Sequence, residues 1–277
     1  MPSGWGRRSV CVVCLSWAES EDHKRRWSVA SRNSQETSES PHWESFLKRA
    51  RPAVRNSEIV RAKIALFGRR LGSTAASLWS HRQFPAIYRE YIFQSHSIIR
   101  ASVPLMQAAE VACAQPRHAE DPVLQGFGRY LHHHIPEETG HHEWILNDGE
   151  ALGMSRQAIL DRLPKESATQ LVGTQYYWIH HYNPIALAGY IATMEGSPDP
   201  VEFIEALAAR NKLPLKCFTS FLYHARIDHR HRRDLDEVLD ALPLTPAHLE
   251  LIGISSLRTI ELMTGILEDI IECGQSS

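Results

Sequence analysis

Apolar residues recur at intervals of three and four along most of the chain from about Ile59 onward, and no stretch alternates with period two for long enough to make a strand. The segment FPAIYREYIFQSHSIIRASVPLMQAAEVACAQ keeps the helical period throughout, and Pro104 inside it marks a kink. EDPVLQGFGRYLHHHIPEETGHHEWILNDGEALG opens on Asp121 and Pro122, a capping acid and a first-turn proline, and closes at Gly153. A short helix, SRQAILDRL, follows. SATQLVGTQYYWIHHYNPIALAGYIATMEG bends or breaks at Pro184 and ends near Gly196. DPVEFIEALAARN and LPLKCFTSFLYHARIDHRHRRDLDEVLDAL are two more helices, and TPAHLELIGISSLRTIELMTGILEDIIEC, led by Thr245 and Pro246, is the last. The pattern predicts an all-α protein, a bundle of kinked helices long enough to cross a domain.

Upstream the texture changes. Residues 19 to about 57 are rich in Ser, Glu, Arg and Lys and poor in branched aliphatics, so residues 1–57 are expected to form a disordered tail and 58–277 the helical domain. Arg7 and Arg8 precede a short apolar stretch, Val10 to Trp17, but no small-x-small cleavage site follows, so an export signal is the weaker reading. No apolar run approaches the length that spans a bilayer. The net charge of -2 over 277 residues, with no basic stripe, excludes a polyanion-binding surface and with it a nucleic-acid partner. Five scattered cysteines, at 11, 14, 113, 217 and 273, fit a reducing, cytoplasmic compartment better than a disulfide framework. Cys11 and Cys14 form a C-x-x-C with no second pair at zinc-ribbon spacing.

Sixteen histidines change the picture most, because five of them fall in HHHIPEETGHH, residues 132–142. Consecutive helical residues point about 100° apart, so the run itself is no site. Residues at i, i+4 and i+7 share a face, and His134, Glu138 and His141 have that spacing. Ninety residues later His224, Asp228 and His231 repeat it. Each set contains a carboxylate-x-x-His pair, the ligand grammar of dinuclear metal bundles. Carboxylates bridge and neutralise two close cations, while each imidazole holds one. Glu195, an acid set in an apolar stretch where an unpaired charge is costly, is the natural carboxylate before Asp228. Before Glu138 the candidate is Glu110, with Gln107 nearby, and it is equally readable as solvent-facing. His132, His133, His142 and His229 read as surface residues. Tyr176, Tyr177, Trp178, Tyr182 and Tyr190 read as core or pocket lining, some of them shaping a substrate cavity.

The order Glu138-x-x-His141, then Glu195, then His224-x3-Asp228-x2-His231 resembles the haem-oxygenase-like dimetal oxidases and oxygenases, over roughly residues 75 to 273. EETGHHEWILNDGEALG resembles the bacterial iron-containing redox members of that group. The resemblance implies metal ligation by Glu138, His141, Glu195, His224, Asp228 and His231. It implies two iron ions, with manganese an alternative, and dioxygen as co-substrate in oxidising a small organic metabolite by N-oxygenation, desaturation or C–C cleavage. It further implies a homodimer, and, with no reductase domain read in the sequence, electrons are expected from a separate donor or from the substrate. Pro136 and Gly140 flank Glu138, so the helix is expected to kink or restart there, moving His134 off the common face and making Glu137 a rival to Glu138. Other readings of the same fold are a metal-free, thiaminase II-like enzyme with Cys217 as nucleophile and a haem protein with His96 as axial ligand. A ferritin-like iron carrier is the reading from outside it.

Overall fold

The computed structural model describes residues 54–196 and 199–274, and every regular element among them is helical. In chain order these are α1 (Asn56–Phe67), α2 (Arg69–Trp79), α3 (Phe84–Ile99), α4 (Ser102–Cys113), α5 (Pro122–Glu138) and α6 (His141–Ala151). Then come α7 (Arg156–Asp161), α8 (Glu166–His181), α9 (Leu187–Met194), α10 (Val201–Arg210), α11 (Thr219–Ala241) and α12 (Pro246–Cys273). The expected tail, Cys11 and Cys14 included, lies outside the described residues save for its last four positions. There Asn56 and Ser57 open α1, and Asp240 accepts from Ser57 N and Oγ at 2.8 and 2.9 Å.

The bundle is built around α12, on which α1, α2, α3, α8 and α9 all pack. That position follows from its sequence: apolar residues from Leu251 to Ile270 are buried around most of its circumference. Three of its buried hydroxyls are satisfied within the helix. Ser256, Thr259 and Thr264 each donate a hydroxyl to a carbonyl one turn back, at 3.0, 2.8 and 2.7 Å. Helix α9 approaches α12 so closely that a Cβ on Gly189 would stand 2.2 Å from Ile252 O and 2.9 Å from Ser256 N. Only glycine fits there, and its carbonyl accepts from Ser256 Oγ at 3.0 Å.

Over this layer lie the α4–α5 pair and α6, with α11 resting on α1, α5, α6 and α9. An aromatic block of Trp79, Phe84, Tyr88, Tyr91, Phe218 and Phe221 joins α2 and α3 to the start of α11, with ring centroids 4.8 to 6.5 Å apart. Such pairs contribute roughly 0.5–1.5 kcal/mol each beyond the area they bury. The start of α11 is also fixed from a distance. Asp148 of α6, fully buried, accepts from Thr219 N at 2.8 Å and Ser220 N at 3.0 Å, supplying the cap that Phe218 at the N-cap position does not.

One helix boundary differs from the sequence reading, and another falls where a restart was expected. The break between α3 and α4 falls at Arg100–Ala101, and Pro104 sits in the first turn of α4, where its missing N–H has no partner to lose. The segment from Asp121 to Gly153 is two helices, because Thr139 is extended and Gly140 takes the left-handed conformation, φ +94°. Tyr177 and Tyr182, read as core or pocket lining, are 58% and 70% exposed; they stand on the outer face of α8 and just past its end.

Candidate metal centre

The interior face of α11 carries His224, Asp228 and His231, all buried, in successive turns. Opposite them, the end of α5 supplies His134, Glu137 and Glu138, and the first residue of α6 is His141. Pro136 leaves the last turn of α5 without one backbone donor, and the helix stops two residues later. The turn at Gly140 then restarts the chain so that His141 faces inward with Glu138. Glu195 arrives from the C-terminus of α9, whose placement depends on the contact at Gly189.

Two donor sets result. His134, Glu138, Glu195 and His231 form one, and Glu138, His141 and His224 the other; within each, one ligand-capable atom per residue lies within 4.8 Å of all the rest. Glu138 belongs to both. Its Oε2 lies 2.9 Å from His141 Nδ1 and its Oε1 3.3 Å from His231 Nδ1, so its two oxygens face opposite sets. His134 Nε2 is 2.7 Å from Glu195 Oε1. The His134 and His231 rings meet edge-on at 4.8 Å, as the His141 and His224 rings do at 5.1 Å.

Most of these close approaches are not hydrogen bonds. Both nitrogens of His141 and of His231, Glu195 Oε2 and Asp228 Oδ1 are buried without a hydrogen-bond partner, short distances notwithstanding. Buried polar atoms are nearly always paired, and six unpaired ones around one point are costly unless something else takes their lone pairs. A cation bound between the two groups could do so. His224 shows the same preparation from the other side: its Nδ1 lies 2.7 Å from Ser220 O, to which it donates, leaving Nε2 with a free lone pair.

The protonation states point the same way. Burial lowers the His134 imidazole, but the Glu195, Glu138 and Glu137 carboxylates outweigh it and hold it at about 9. Burial, with the charges of Glu195 and Glu138, lifts Asp228 to about 9. Burial alone would raise Glu138, yet His141, His224 and His134 together bring it to about 2. Burial lowers His224. The carboxylates gathered here thus make His134 and Asp228 hold their protons in the absence of any other cation.

Of the residues expected at the site, Glu138, His141, Glu195, His224 and His231 come together in the two sets. Asp228 lines the same cavity beside them but belongs to neither set. His134, expected to swing off the common face, stays on it, because the break falls after Glu138 and leaves the helical turn from His134 to Glu138 intact. Its signal in the sequence was the i, i+4, i+7 frame itself. Glu137 sits at the rim, 36% exposed, paired with Arg230 at 2.9 Å and 3.3 Å from His231. Glu110 is not part of the centre and pairs with His132 at 2.9 Å. His96 is buried, held at about 4 by burial and the Arg100 charge, and lies outside both sets. Cys217 is fully buried, and its backbone carbonyl accepts from the Tyr88 hydroxyl at 2.9 Å.

Beside the centre is a cavity of about 50 Å³, walled by apolar side chains of α3, α4 and α9 and by Glu138, Glu195, His224 and Asp228. A helical bundle with ligand-type side chains converging from α5, α6, α9 and α11 defines a class, the haem-oxygenase-like fold. Solved structures share it. A domain of unknown function with a heme oxygenase-like fold from Shewanella denitrificans OS217 superposes with a TM-score of 0.67 at 17% identity, covering 81% of this chain and 95% of its own. A TenA homolog from Pseudomonas syringae pv. tomato DC3000 gives 0.60 at 12%, covering 81% and 98%. A CADD-like protein of unknown function from Nostoc punctiforme PCC 73102 gives 0.59 at 14%, covering 78% and 97%. No curated protein matches the sequence. Residues 105–262 match the family described as iron-containing redox enzymes, and the chain belongs to that family.

Proposed function

We propose that this chain is a non-haem dinuclear iron oxidase or oxygenase acting on a small organic metabolite. One observation carries the reading: two buried donor sets share Glu138, and within them both nitrogens of His141 and of His231 and Glu195 Oε2 have no hydrogen-bond partner. The residues fit two cations. His134, Glu195 and His231 would hold one, His141 and His224 the other, and Glu138 both. Asp228 would give up its proton and join them, so that three buried carboxylates offset most of the charge of two divalent ions. The mixture of imidazole and carboxylate suits iron, and manganese as well.

Two ferrous ions bound there would supply electrons for the reduction of dioxygen. The protein does the rest. Ser220 O orients the His224 ring, Asp148 anchors the helix that carries it, and the apolar walls keep bulk water from the reacting groups. A substrate in the adjoining cavity would be oxidised by N-oxygenation, desaturation or C–C cleavage. Further electrons would come from a separate donor or from the substrate. No helix among the described residues is long and apolar enough to cross a membrane.

The test is oxygen uptake. Protein loaded anaerobically with ferrous iron and then mixed with oxygenated buffer should consume dioxygen in proportion to its bound iron, and H224A should not. Consumption no greater than that of free iron in the same buffer would overturn the proposal.

A further inference from the structure

Tyr190 lies in the middle of α9, 4% exposed, on the wall of the cavity beside the metal centre. Its hydroxyl has no hydrogen-bond partner; Ser102, across the cavity, is near enough to influence it without making an aligned bond. A buried hydroxyl left unpaired is destabilising, and phenylalanine would fill the same space without that cost. On neighbouring α12 the hydroxyls of Ser256, Thr259 and Thr264 all find carbonyls. Burial, reinforced by the charges of Glu138 and Glu195, keeps the phenol protonated, so its proton stays available to donate.

The rest of the cavity says what would accept it. Leu105, Leu187 and Ile191 make the walls apolar, and no lysine or arginine lines it to balance an anion. Of its three acidic side chains, Glu138 and Glu195 belong to the donor sets, and Asp228 lies beside them. About 50 Å³ of free space holds roughly three to five water-sized groups, and the flexible side chains of Met106 and Met194 can yield to admit slightly more.

We infer that Tyr190 is the substrate-recognising residue of this site, donating a hydrogen bond to the single carbonyl, amide or hydroxyl oxygen of a compact, neutral, mostly apolar substrate. The inference rests on the cavity belonging to the proposed metal centre, and its test separates the two. Butyramide, which carries such an oxygen, and n-butylammonium, which carries no acceptor, are titrated into the full chain, metal-free and zinc-loaded, with ligand-observed saturation-transfer NMR as the readout. Wild type should bind butyramide, and Y190F should weaken it about tenfold, the size of one hydrogen bond to a buried donor. The same substitution should leave n-butylammonium binding unchanged and should not lower the melting temperature, because the hydroxyl it removes is unpaired. A bulky substitution in the wall, I191W, should exclude butyramide. Equal butyramide binding by wild type and Y190F, or none by wild type, would overturn the inference. Failure to take up zinc, with butyramide still dependent on Tyr190, would overturn the metal reading and leave this one standing.

Discussion

His134 and Glu195, sixty-one residues apart in the chain, meet at 2.7 Å between Nε2 and Oε1. One lies a turn before the end of a helix that carries three consecutive histidines, and the other follows a helix of apolar residues. Their meeting brings α5 and α9 to one donor set, and α11 completes it through His231. H134A should therefore lose the metal of that set. Affinity for the corresponding equivalent is expected to fall at least about 100-fold, the upper end of what supporting partners alone cost, while H132A or H133A, at the surface, should bind as wild type does. Metal analysis after equilibrium dialysis checks this. Equal retention by H134A and H133A would remove His134 from the ligands.

Proton release should accompany metal binding. In the metal-free protein His134 titrates at about 9 against an ordinary 6.5, and Asp228 at about 9 against 3.8. Both bind their proton more tightly folded than unfolded, so the stability they lend is complete at low pH. It is lost as pH rises through about 9, from 6.5 upward for His134 and from 3.8 upward for Asp228. Glu138, held at about 2 against 4.5, works the other way and lends stability that disappears only as pH falls below 4.5. The metal-free chain should thus melt at lower temperature as pH climbs from 6.5 to 9, and metal affinity should rise over the same window because cations displace those protons. Calorimetric titration in two buffers of different ionisation enthalpy counts the protons. An affinity that is flat across the window would contradict the assignment.

Gly189 should tolerate no side chain. A methyl group there would meet the Ile252 carbonyl at 2.2 Å, a backbone atom that cannot rotate away. G189A is expected to destabilise the fold by about 1–3 kcal/mol or more, as overpacking does, and to weaken metal retention through Glu195, six residues on. Urea denaturation and metal content together test it. An unchanged midpoint would show that α9 and α12 can part without cost.

Asp148 should matter although it touches no donor atom. Replacing it with alanine leaves Thr219 N and Ser220 N without their acceptor at the start of α11. A loss of about 1–2 kcal/mol is expected from the cap alone, together with faster metal loss from the His224 side. Chelator-challenge kinetics on D148A would show the second effect. Wild-type kinetics would confine Asp148 to stability.

Much of this arrangement was legible in the chain. The two imidazole–carboxylate–imidazole frames require only helical period, and Glu195 declared itself as an acid among apolar neighbours. The cap at Asp121 and Pro122 marked the start of α5, where Asp121 accepts from Val123 N at 2.9 Å. The break after Glu138 was harder to place. Proline and glycine four residues apart signal an interruption, but which peptide bends depends on whether Gly140 takes a positive φ, and that is decided by the packing of α6 on α3 and α11. The fate of His134 followed from that detail. Tyr190 was readable only as core or pocket lining, since a phenol that lines a cavity and one that fills a core occupy the same helical position.

The central claim is that this bundle holds two cations on ligands from four helices, with Glu138 common to both. Anaerobic equilibrium titration with ferrous iron, counting metal per folded chain, tests it most directly. Wild type should saturate at two equivalents, and E138A, deprived of the carboxylate that belongs to both sets, should fail to retain the pair. A correctly folded wild-type chain that takes up no iron would contradict the account.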